Sequence, residues 1–537
     1  MTLDVKQAQQ TGEVISLAES QAIRFIEEID GIDREAASKK IMDCKAELRS
    51  ARKNPRLGAP PERISEIYRE MHELQFCPEY LCLVCDTEKD YRRACEGFFV
   101  NGMEYRRLLG TSGGVKQSTI VFVSTHTRHG VPLLEALRDK INNGRDMSMP
   151  YIPAKLEAYM ALTCSSSTPV EWPRGVAVVR DCMTKFRDDY VLLEDNPDGG
   201  EPVATDVLGG ELEMDASDGY GLMSPALAER WSRGLDLHYT AAGFCVRNSF
   251  CKGMVYAFDF ERFAEEVAGS YVIEDVWGKP VDVRDVELIL TESMLKLWDA
   301  YESMDAYTAA CEANGYGFSV TKATPERLDK VRRLNYQFIQ SYHLTDEEIW
   351  ELIEPTVTEL SDAMGGDVNR ALLFLRGKDM TENTVRLDPY DFVSALMISD
   401  EMINDPYVCS RIKQLINKRV TEAKFGKLYV HGNYSIISGD PYALCQSMFG
   451  LPVTGLLAEG EVYNAYWREA GVPEAVCFRA PMSSHRNIRR VRICQSEAAA
   501  DWYQHMPTVT IFNAFDTMCM ALNGADKILS PASATAQ

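Results

Sequence analysis

Apolar and polar positions alternate with two different periods in the N-terminal third of the chain. Between residues 15 and 29, apolar side chains recur at steps of three and four, which predicts a helix with one apolar face; a further helix is predicted around 66–74. Residues 119–123 and 176–179 are rich in β-branched side chains, as strands are, and 154–162 have helical periodicity. The pattern therefore predicts a mixture of helices and strands.

Further along the chain, the period of the pattern changes several times. Residues 194–201 have no apolar period and predict a turn. From about 203 to 300 the sequence is strand-like and rich in glycine, from about 302 to 420 it is helical, and after 424 it is strand-like again. The predicted fold class is therefore α+β.

Two sites in the helical stretch have the residues that start helices. Thr324 is followed by Pro325, which predicts an N-cap with proline at the first helical position. Thr345 with Glu348 predicts a capping box. Both positions are expected to begin helices.

These patterns divide the chain into five segments. They are a mixed helical and β region (1–150), a linker and platform segment (151–205), a β-rich module (206–300), a helical connector (301–422) and a second β-rich module (423–537).

The net charge limits the classes of function. The chain has 57 Lys and Arg against 80 Asp and Glu, so its formal charge is −23. This excludes a nucleic-acid binder that is basic over its whole surface, but it allows one basic cleft within an acidic protein. No apolar run is long enough to span a bilayer and no signal peptide is recognisable, so the prediction is a cytoplasmic protein without a membrane partner.

Two motifs resemble known sites but have the wrong spacing. Cys77, Cys82 and Cys85 lack a second pair of ligands at a zinc-site distance, and the apolar residues among them favour a buried strand. The glycine-rich segment 110–119 places Val115 before its lysine and not the glycine of a phosphate-binding P-loop. A turn is the favoured interpretation of this segment.

Two lysines lie in apolar, strand-like surroundings in the first β-rich module. Lys252 follows a tight turn at Asp218 and Gly219 by some thirty residues, and Lys296 comes later in the same module. A lysine in such surroundings loses hydration unless it reaches solvent or meets an anion. The two lysines therefore either extend to solvent separately or bind one polyanionic ligand together.

The second β-rich module contains a local concentration of basic residues. His485 is followed by Arg486, Arg489, Arg490 and Arg492. In an acidic chain such a cluster is a candidate lining for a phosphate-binding cleft. The alternative is a solvated strand face whose arginines balance nearby acids.

The motifs of the two modules, taken in order, resemble those of single-chain, two-barrel RNA polymerases. These are the RNA-dependent RNA polymerases of RNA silencing and their phage-encoded relatives, and the resemblance extends from about 205 to 526. The residues that carry it are Ser217, Asp218, Gly219, Gly221, Ser224, Pro225, Lys252, Gly253, Ser293, Met294, Leu295, Lys296, Arg479, Ala480, Pro481, His485, Asn523, Gly524, Ala525 and Asp526.

The resemblance implies a fold and a set of roles. Each β-rich module would be a double-psi β-barrel, and the function would be template-directed RNA synthesis from nucleoside triphosphates with Mg²⁺. Lys252 and Lys296 would contact triphosphate or the growing RNA, Arg479 would orient the incoming nucleotide, and Asp526 would be a catalytic metal ligand. A further set of residues would bind a single-stranded template of DNA or RNA: His485, Arg486, Arg489 and Arg490.

One departure from the family pattern limits this expectation. The family holds its metal ions with an Asp-x-Asp-Gly-Asp motif, whereas here Asp526 is followed by Lys527, Ile528 and Leu529. We therefore expect a C-terminally truncated, incomplete second barrel and a chain that is inactive alone, unless a separate chain completes it in a bacterial host cell. The alternative is a non-catalytic remnant that binds nucleic acid or acts as a scaffold.

Overall fold

The structure is a computed structural model that forms two compact units. It describes residues 20–53, 61–75, 77–85, 87–110, 119–376, 391–482, 484–522, 524 and 531–536. The first unit comprises Met1–Arg180, Gly219–Tyr256 and Phe260–Ala323. The second unit comprises Asp181–Asp218, Ala257–Asp259 and Thr324–Gln537.

The N-terminal part of the first unit combines helices with a small antiparallel sheet, whose strand order is β1-β4-β3-β2. Its elements are α1 (Gln21–Ile29), α2 (Arg34–Lys53), α3 (Pro61–Gln75), β1 (Tyr80–Val84), α4 (Glu88–Cys95), β2 (Phe98–Val100), β3 (Met103–Gly110), β4 (Thr119–Ser124), α5 (Leu134–Asn142) and α6 (Pro153–Met160). The helices predicted around 66–74 and 154–162 and the strand at 119–123 are confirmed. Of the helix predicted at 15–29, the described part is α1.

An ion pair between a buried carboxylate and a partly exposed arginine connects the start of this sheet to the loop after it. Glu79 is fully buried, and its carboxylate accepts hydrogen bonds from the Nε and Nη2 atoms of Arg128, each at 2.9 Å. Burial alone would raise the pKa of the Glu79 carboxyl, but the hydrogen bonds from Arg128 outweigh it and the pKa lies below its usual value of 4.5. Glu79 is therefore ionised and paired at neutral pH.

The middle of the chain adds the main sheet of the first unit. The elements of this middle part, of which β7 and β8 belong to the second unit, are β5 (Thr168–Pro169), β6 (Val176–Val179), β7 (Met183–Glu194), β8 (Val203–Asp215), β9 (Tyr220–Met223), α7 (Pro225–Gly234), β10 (Gly243–Asn248), β11 (Cys251–Ala257), α8 (Phe260–Phe263), β12 (Val272–Glu274), β13 (Pro280–Asp282), β14 (Leu288–Thr291), α9 (Met304–Asn314) and β15 (Ser319–Ala323). Seven strands form the sheet in the order β5-β15-β10-β11-β9-β14-β6. Trp231 of α7 packs edge-on against Phe244 of β10, with ring centroids 5.7 Å apart, which joins helix and sheet in one core.

Strands β7 and β8 form a separate two-stranded ribbon in the second unit. They pair antiparallel from Met183 with Asp215 to Glu194 with Val203. The turn predicted at 194–201 connects the two strands and is confirmed. Thr184, near the base of the ribbon, donates a 2.6 Å hydrogen bond to the carbonyl of Ala514, which attaches the ribbon to the rest of its unit.

The remaining elements belong to the second unit. They are β16 (Val331–Arg333), α10 (Tyr336–Gln340), α11 (Asp346–Met364), α12 (Val368–Arg376), α13 (Asp391–Ile398), α14 (Pro406–Lys424), β17 (Tyr429–Ser438), α15 (Pro441–Met448), β18 (Glu461–Tyr463), α16 (Ala465–Glu469), β19 (Glu474–Phe478), β20 (Ile488–Ile493), α17 (Glu497–Trp502), β21 (Val509–Phe512), α18 (Met518–Ala521) and β22 (Pro531–Ala536).

The helical connector confirms one predicted helix start and corrects the other. Thr345 and Glu348 form the predicted capping box at the start of α11, with the Thr345 N–H donating to Glu348 at 2.8 Å. The prediction of a helix starting at Thr324 is wrong. Thr324 is fully buried and directly follows β15, and the chain continues to β16, whose backbone groups pair with β17.

A bilayer-spanning helix needs about 20 mostly apolar residues, and the described helices contain no such stretch.

Six strands of the second unit form a closed ring. In the order β17-β21-β18-β20-β19-β22, each strand pairs with the next, and β22 pairs with β17 as well. Buried side chains of these strands form one core, among them Ile437, Val462, Val491 and Phe512, together with Trp467 of α16. The pairing of β22 with β17 thus closes these six described strands on themselves.

The ion pair between Glu79 and Arg128 leads to a prediction about pH. Replacing Arg128 by methionine leaves a buried carboxylate without its partner, so we expect the free energy of unfolding at neutral pH to fall by about 3 kcal/mol. A carboxyl with a lowered folded pKa stabilises the fold above its unfolded pKa of about 4.5 and loses this effect as the pH falls. In Arg128→Met the side-chain hydrogen bonds and the charge that lower this pKa are lost, while burial and the backbone hydrogen bonds remain, so the loss of stability on acidification should be smaller than in the wild type.

Urea denaturation across this pH range measures both trends. The double variant Glu79→Gln with Arg128→Met removes the titrating group, and we expect it to follow neither trend. The same pH dependence in the wild type and in Arg128→Met would contradict the interpretation.

Candidate active site

The glycine turn of the first unit is held by hydrogen bonds to two other segments. Gly219 has a φ of 74°, a conformation that suits glycine. Its N–H donates to the hydroxyl of Ser293 at 2.9 Å, and its carbonyl accepts from the N–H of Met254 at 3.0 Å. The turn thus joins β11 to the segment after β14.

Two other glycines of the motif lie where no side chain fits. A Cβ atom on Gly221 would be 2.2 Å from the carbonyl oxygen of Ile289, and one on Gly253 would be 2.5 Å from that of Gly219. The hydroxyl of Ser224 accepts the Leu227 N–H at 3.2 Å and caps α7, which begins with proline. The spacing of the motif is therefore explained by backbone packing and helix capping.

The two predicted lysines are brought together by backbone pairing. Cys251 and Leu295 form an antiparallel bridge. On either side of it, the Lys252 N–H donates to Met294 at 3.1 Å and the Lys296 N–H donates to Phe250 at 3.0 Å. Because side chains alternate along paired strands, both lysines lie on the face opposite to Cys251 and Leu295. Both are half-buried.

A third cation shares this face and was missed by the sequence analysis. Arg247 of β10 is paired directly with Lys252, and directly paired residues point to the same side of a sheet. Its Nη1 atom donates to the carbonyl of Val246 at 2.7 Å. Burial raises the pKa of Cys251 to about 12, although the charges of Arg247 and Lys296 act in the opposite direction. An arginine directly after the apolar strand residues Phe244 to Val246 was the available signal.

In the second unit, Arg479 and a neighbouring asparagine bind the end of α18. The Nη1 atom of Arg479 donates to the carbonyl of Leu522 at 3.4 Å, and Nδ2 of Asn487 donates to that of Ala521 at 2.8 Å. The Oδ1 atom of Asn487 also accepts the Ser484 N–H at 3.0 Å. Asn487 was not predicted; the Ser-x-x-Asn spacing of a capping box was its signal.

The predicted basic residues do not form a single cluster. Arg490 forms an ion pair with Glu474 on β19, with Nε 3.0 Å from the carboxylate, and Arg492 donates to the carbonyl of Glu459. Arg489 is paired with Cys477 and has the opposite side-chain direction to Arg490, its neighbour in the strand. For Arg490, this ion pair favours the alternative of a solvated face whose arginines balance nearby acids.

His485 and Arg486 lie in a short 3₁₀ turn just before β20. Both are exposed. The N–H of Arg486 donates to the hydroxyl of Ser484 at 3.2 Å, which fixes the backbone of the turn. The two side chains are therefore presented at the surface from an ordered turn.

Comparison with known protein families shows which family the chain belongs to. A family model described as "RNA dependent RNA polymerase" matches residues 64–513. The chain belongs to this family.

Two relatives of this RNA-dependent RNA polymerase family are similar to the chain. The DNA-directed RNA polymerase YonO of Bacillus phage SPbeta is 27% identical over 391 residues, which are 70% of this chain and 42% of that protein. The structure of the RNA-dependent RNA polymerase QDE-1 from Thielavia terrestris has a TM-score of 0.56 at 12% identity and covers 86% of this chain and 49% of that chain. The chain spans less than half the length of either relative. The α+β class and the resemblance to the two-barrel polymerases are confirmed.

Membership of the polymerase family implies a divalent metal, but its predicted ligand cannot be placed. Asp526 lies outside the described residues, as do residues 111–118 of the glycine-rich segment. Within the described ranges, no three His, Cys, Asp or Glu side chains come together as a metal site. Asp516, ten residues before Asp526, accepts a hydrogen bond from the N–H of Met518. The described residues thus do not assemble the donor set of the family's metal centre.

The close approach at Gly221 gives a prediction about stability. In Gly221→Ala the new methyl group would overlap the backbone of β14, which must then shift, so we expect a loss of about 1–3 kcal/mol of unfolding free energy. Gly234→Ala is the matched control, because nothing lies within 4 Å of its Cβ position. We expect the control to be neutral or slightly stabilising, since glycine disfavours helices. Equal urea midpoints for both variants would contradict the packing argument.

Proposed function

We propose that this chain carries the nucleotide-binding part of a template-directed RNA polymerase. In such a nucleotidyltransferase, the 3′-oxygen of the growing strand forms a bond to the α-phosphorus of a nucleoside triphosphate, pyrophosphate leaves, and the hydroxyl proton passes to solvent. The observation that carries the proposal is the bridge between Cys251 and Leu295, with Lys252 and Lys296 beside it on one face.

The chemistry of this face suits a triphosphate. Lysine ammonium groups act as point charges toward phosphate, and an arginine guanidinium adds planar, directional donors. Lys252, Lys296 and Arg247 are all half-buried, so their charges are less screened than those of surface residues. In nucleotidyl transfer the protein mainly positions the phosphates and neutralises charge, and these residues are suited to both tasks.

The other predicted residues have proposed roles in the same reaction. Arg479 would orient the incoming nucleotide, while Asp526 would hold Mg²⁺, the proposed cofactor. The relatives are named for different templates, so single-stranded DNA and RNA both remain candidates. The phage relative supports a place in the cytoplasm of a bacterial host, and a separate chain that completes the metal site is a proposed partner.

Nucleotide binding tests the role of the lysines directly. We expect Lys252→Ala and Lys296→Ala each to weaken ATP binding about tenfold or more, since a hydrogen bond to a charged group is worth about 1.5–3 kcal/mol. Lys322→Ala is the matched control, because Lys322 is an exposed lysine of β15 in the same sheet. Calorimetric titration measures the affinities. Unchanged affinity in both lysine variants would contradict the proposed site.

Nucleotide incorporation tests the reaction. With labelled nucleotides, Mg²⁺ and single-stranded DNA or RNA, we expect this chain alone to give no product above background. Lys527, Ile528 and Leu529 stand where the family has further metal ligands, and one carboxylate holds Mg²⁺ poorly. An Asp-Gly-Asp segment with the rest of a family barrel, added after Lys527, should restore synthesis. Robust synthesis by the unmodified chain, lost in Asp526→Ala, would show that the metal is held differently.

The placement of the arginines separates two residues that the sequence predicts to act together. Arg490 is already paired with Glu474, whereas Arg489 points to the other side of β20. If the chain binds single-stranded nucleic acid through Arg489, then Arg489→Ala should lower the slope of log affinity against log salt by about one. Arg490→Ala should leave the slope unchanged. The reverse result would assign the phosphate contact to Arg490.

A further inference from the structure

A polar pocket lies in the second unit between α10 and the loop that follows the Arg-Ala-Pro motif. Its volume is about 420 Å³, within the range of roughly 300–1,000 Å³ that is usual for small-ligand sites. The lining residues are Gln337, Gln340, Ser341, Met482, Ser484 and His485. Of these, only His485 belongs to the residues predicted from the sequence.

Three of the lining side chains are held in place and keep hydrogen-bonding capacity. Oε1 of Gln337 accepts the Met482 N–H at 3.2 Å, which leaves the amide NH₂ as a donor. The Ser341 hydroxyl donates to the carbonyl of Gln337 at 2.7 Å and can still accept. The Ser484 hydroxyl accepts the Arg486 N–H at 3.2 Å and can still donate. The pocket therefore has an ordered hydrogen-bonding wall.

The charge around the pocket favours an anionic or neutral ligand. No carboxylate of a described residue lines it, although the chain as a whole carries a formal charge of −23. Among the described residues, the side chains of Gln340 and His485 have no hydrogen-bond or ion-pair partner, so both are available to a ligand. Arg486, next to His485, is exposed. A single phosphate group would meet favourable charge here.

We propose that this pocket binds one nucleotide residue of a single-stranded nucleic acid. The proposal rests on the proposed polymerase function and names a place where the strand is held. The amides of Gln337 and Gln340 would pair with the edge of a base, as glutamine amides do, and the Met482 side chain would contact its apolar face. The adjoining phosphate would lie near His485 and Arg486.

Two neighbouring aromatic residues support a strand over a free nucleotide. Tyr336 and Tyr342, at the two ends of the α10 segment, are 46% and 39% exposed and offer rings on which unpaired bases can stack. Within the part of the chain that the structure describes, no lysine or arginine lines the pocket itself. A free triphosphate carries several negative charges and needs several cations, whereas one nucleotide of a strand brings a single phosphate charge.

Fluorescence anisotropy with labelled 12-residue oligo(U) and oligo(dT) tests the proposal on the full chain. Gln340→Glu places a carboxylate against the proposed base and phosphate, so we expect its affinity to fall about tenfold. Gln504→Glu is the matched control, with the same charge change at another exposed glutamine of this unit, and should change affinity less than about twofold. Equal affinities for the wild type and Gln340→Glu would overturn the proposal. Thermal unfolding of each variant verifies that the fold is intact.

A second comparison tests whether a base is bound. We expect Gln340→Ala to weaken binding of oligo(U) about fivefold but to leave binding of an abasic sugar–phosphate oligomer unchanged. Equal losses for both oligomers would overturn base recognition. UTP is also tested as a competitor of oligo(U). If UTP displaces oligo(U) and Gln340→Ala weakens the binding of UTP as well, the ligand is a free nucleotide and the strand proposal is overturned.

The outcomes separate this proposal from the polymerase function. Failure of Lys252→Ala to weaken ATP binding would count against the polymerase site in the first unit. That failure would not change the interpretation of weaker oligonucleotide binding in Gln340→Glu. Conversely, if the wild type binds ATP through the lysines but the wild type and Gln340→Glu bind oligo(U) with equal affinity, only the pocket proposal is rejected.

Discussion

The arrangement of the first unit depends on a backbone contact that excludes side chains. At Gly221 and Gly253 the neighbouring carbonyls lie so close that even a methyl group does not fit. This contact lets β9, β11 and β14 pack with the turn at Gly219 between them. The segment after β14 can then form its bridge to Cys251, and the positions of Lys252 and Lys296 follow from that bridge. The two lysines that we propose to bind triphosphate are thus oriented by residues that have no side chains.

The second unit orders its motif by a different means. Here side chains bind carbonyl groups at the end of a short helix, where the backbone acceptors have no partner within the helix. Arg479 and Asn487 supply two such bonds to α18, and Asn487 also fixes the turn that carries His485 and Arg486. Arg479, which belongs to the motif that resembles the polymerase family, therefore has a structural role in addition to its proposed chemical role.

Local patterns in the sequence predicted much of the secondary structure, but not the long-range contacts. The run of β-branched residues identified the strand at 119–123, and the capping box at Thr345 identified the start of α11, because both depend on neighbouring residues. Thr324 had a helix-starting sequence but is buried in the continuation of a strand, where tertiary packing overrides propensity. The pairing of Arg490 with Glu474 and of Arg247 with Lys252 depends on strand register. Register joins distant parts of the chain, so these contacts were found only in the structure.

The closed ring and the two-stranded ribbon of the second unit differ in whether their strands have unpaired edges. A ring has no unpaired edge, so its strands offer no template to another chain. Within the described part of the chain, neither edge of the ribbon β7–β8 is paired with a further strand, and Leu193 and Leu208 are exposed on it. Acidic residues outnumber basic ones along both strands. Like charges disfavour the pairing of two such edges, and salt screens this effect, so we expect association through the ribbon to increase with ionic strength.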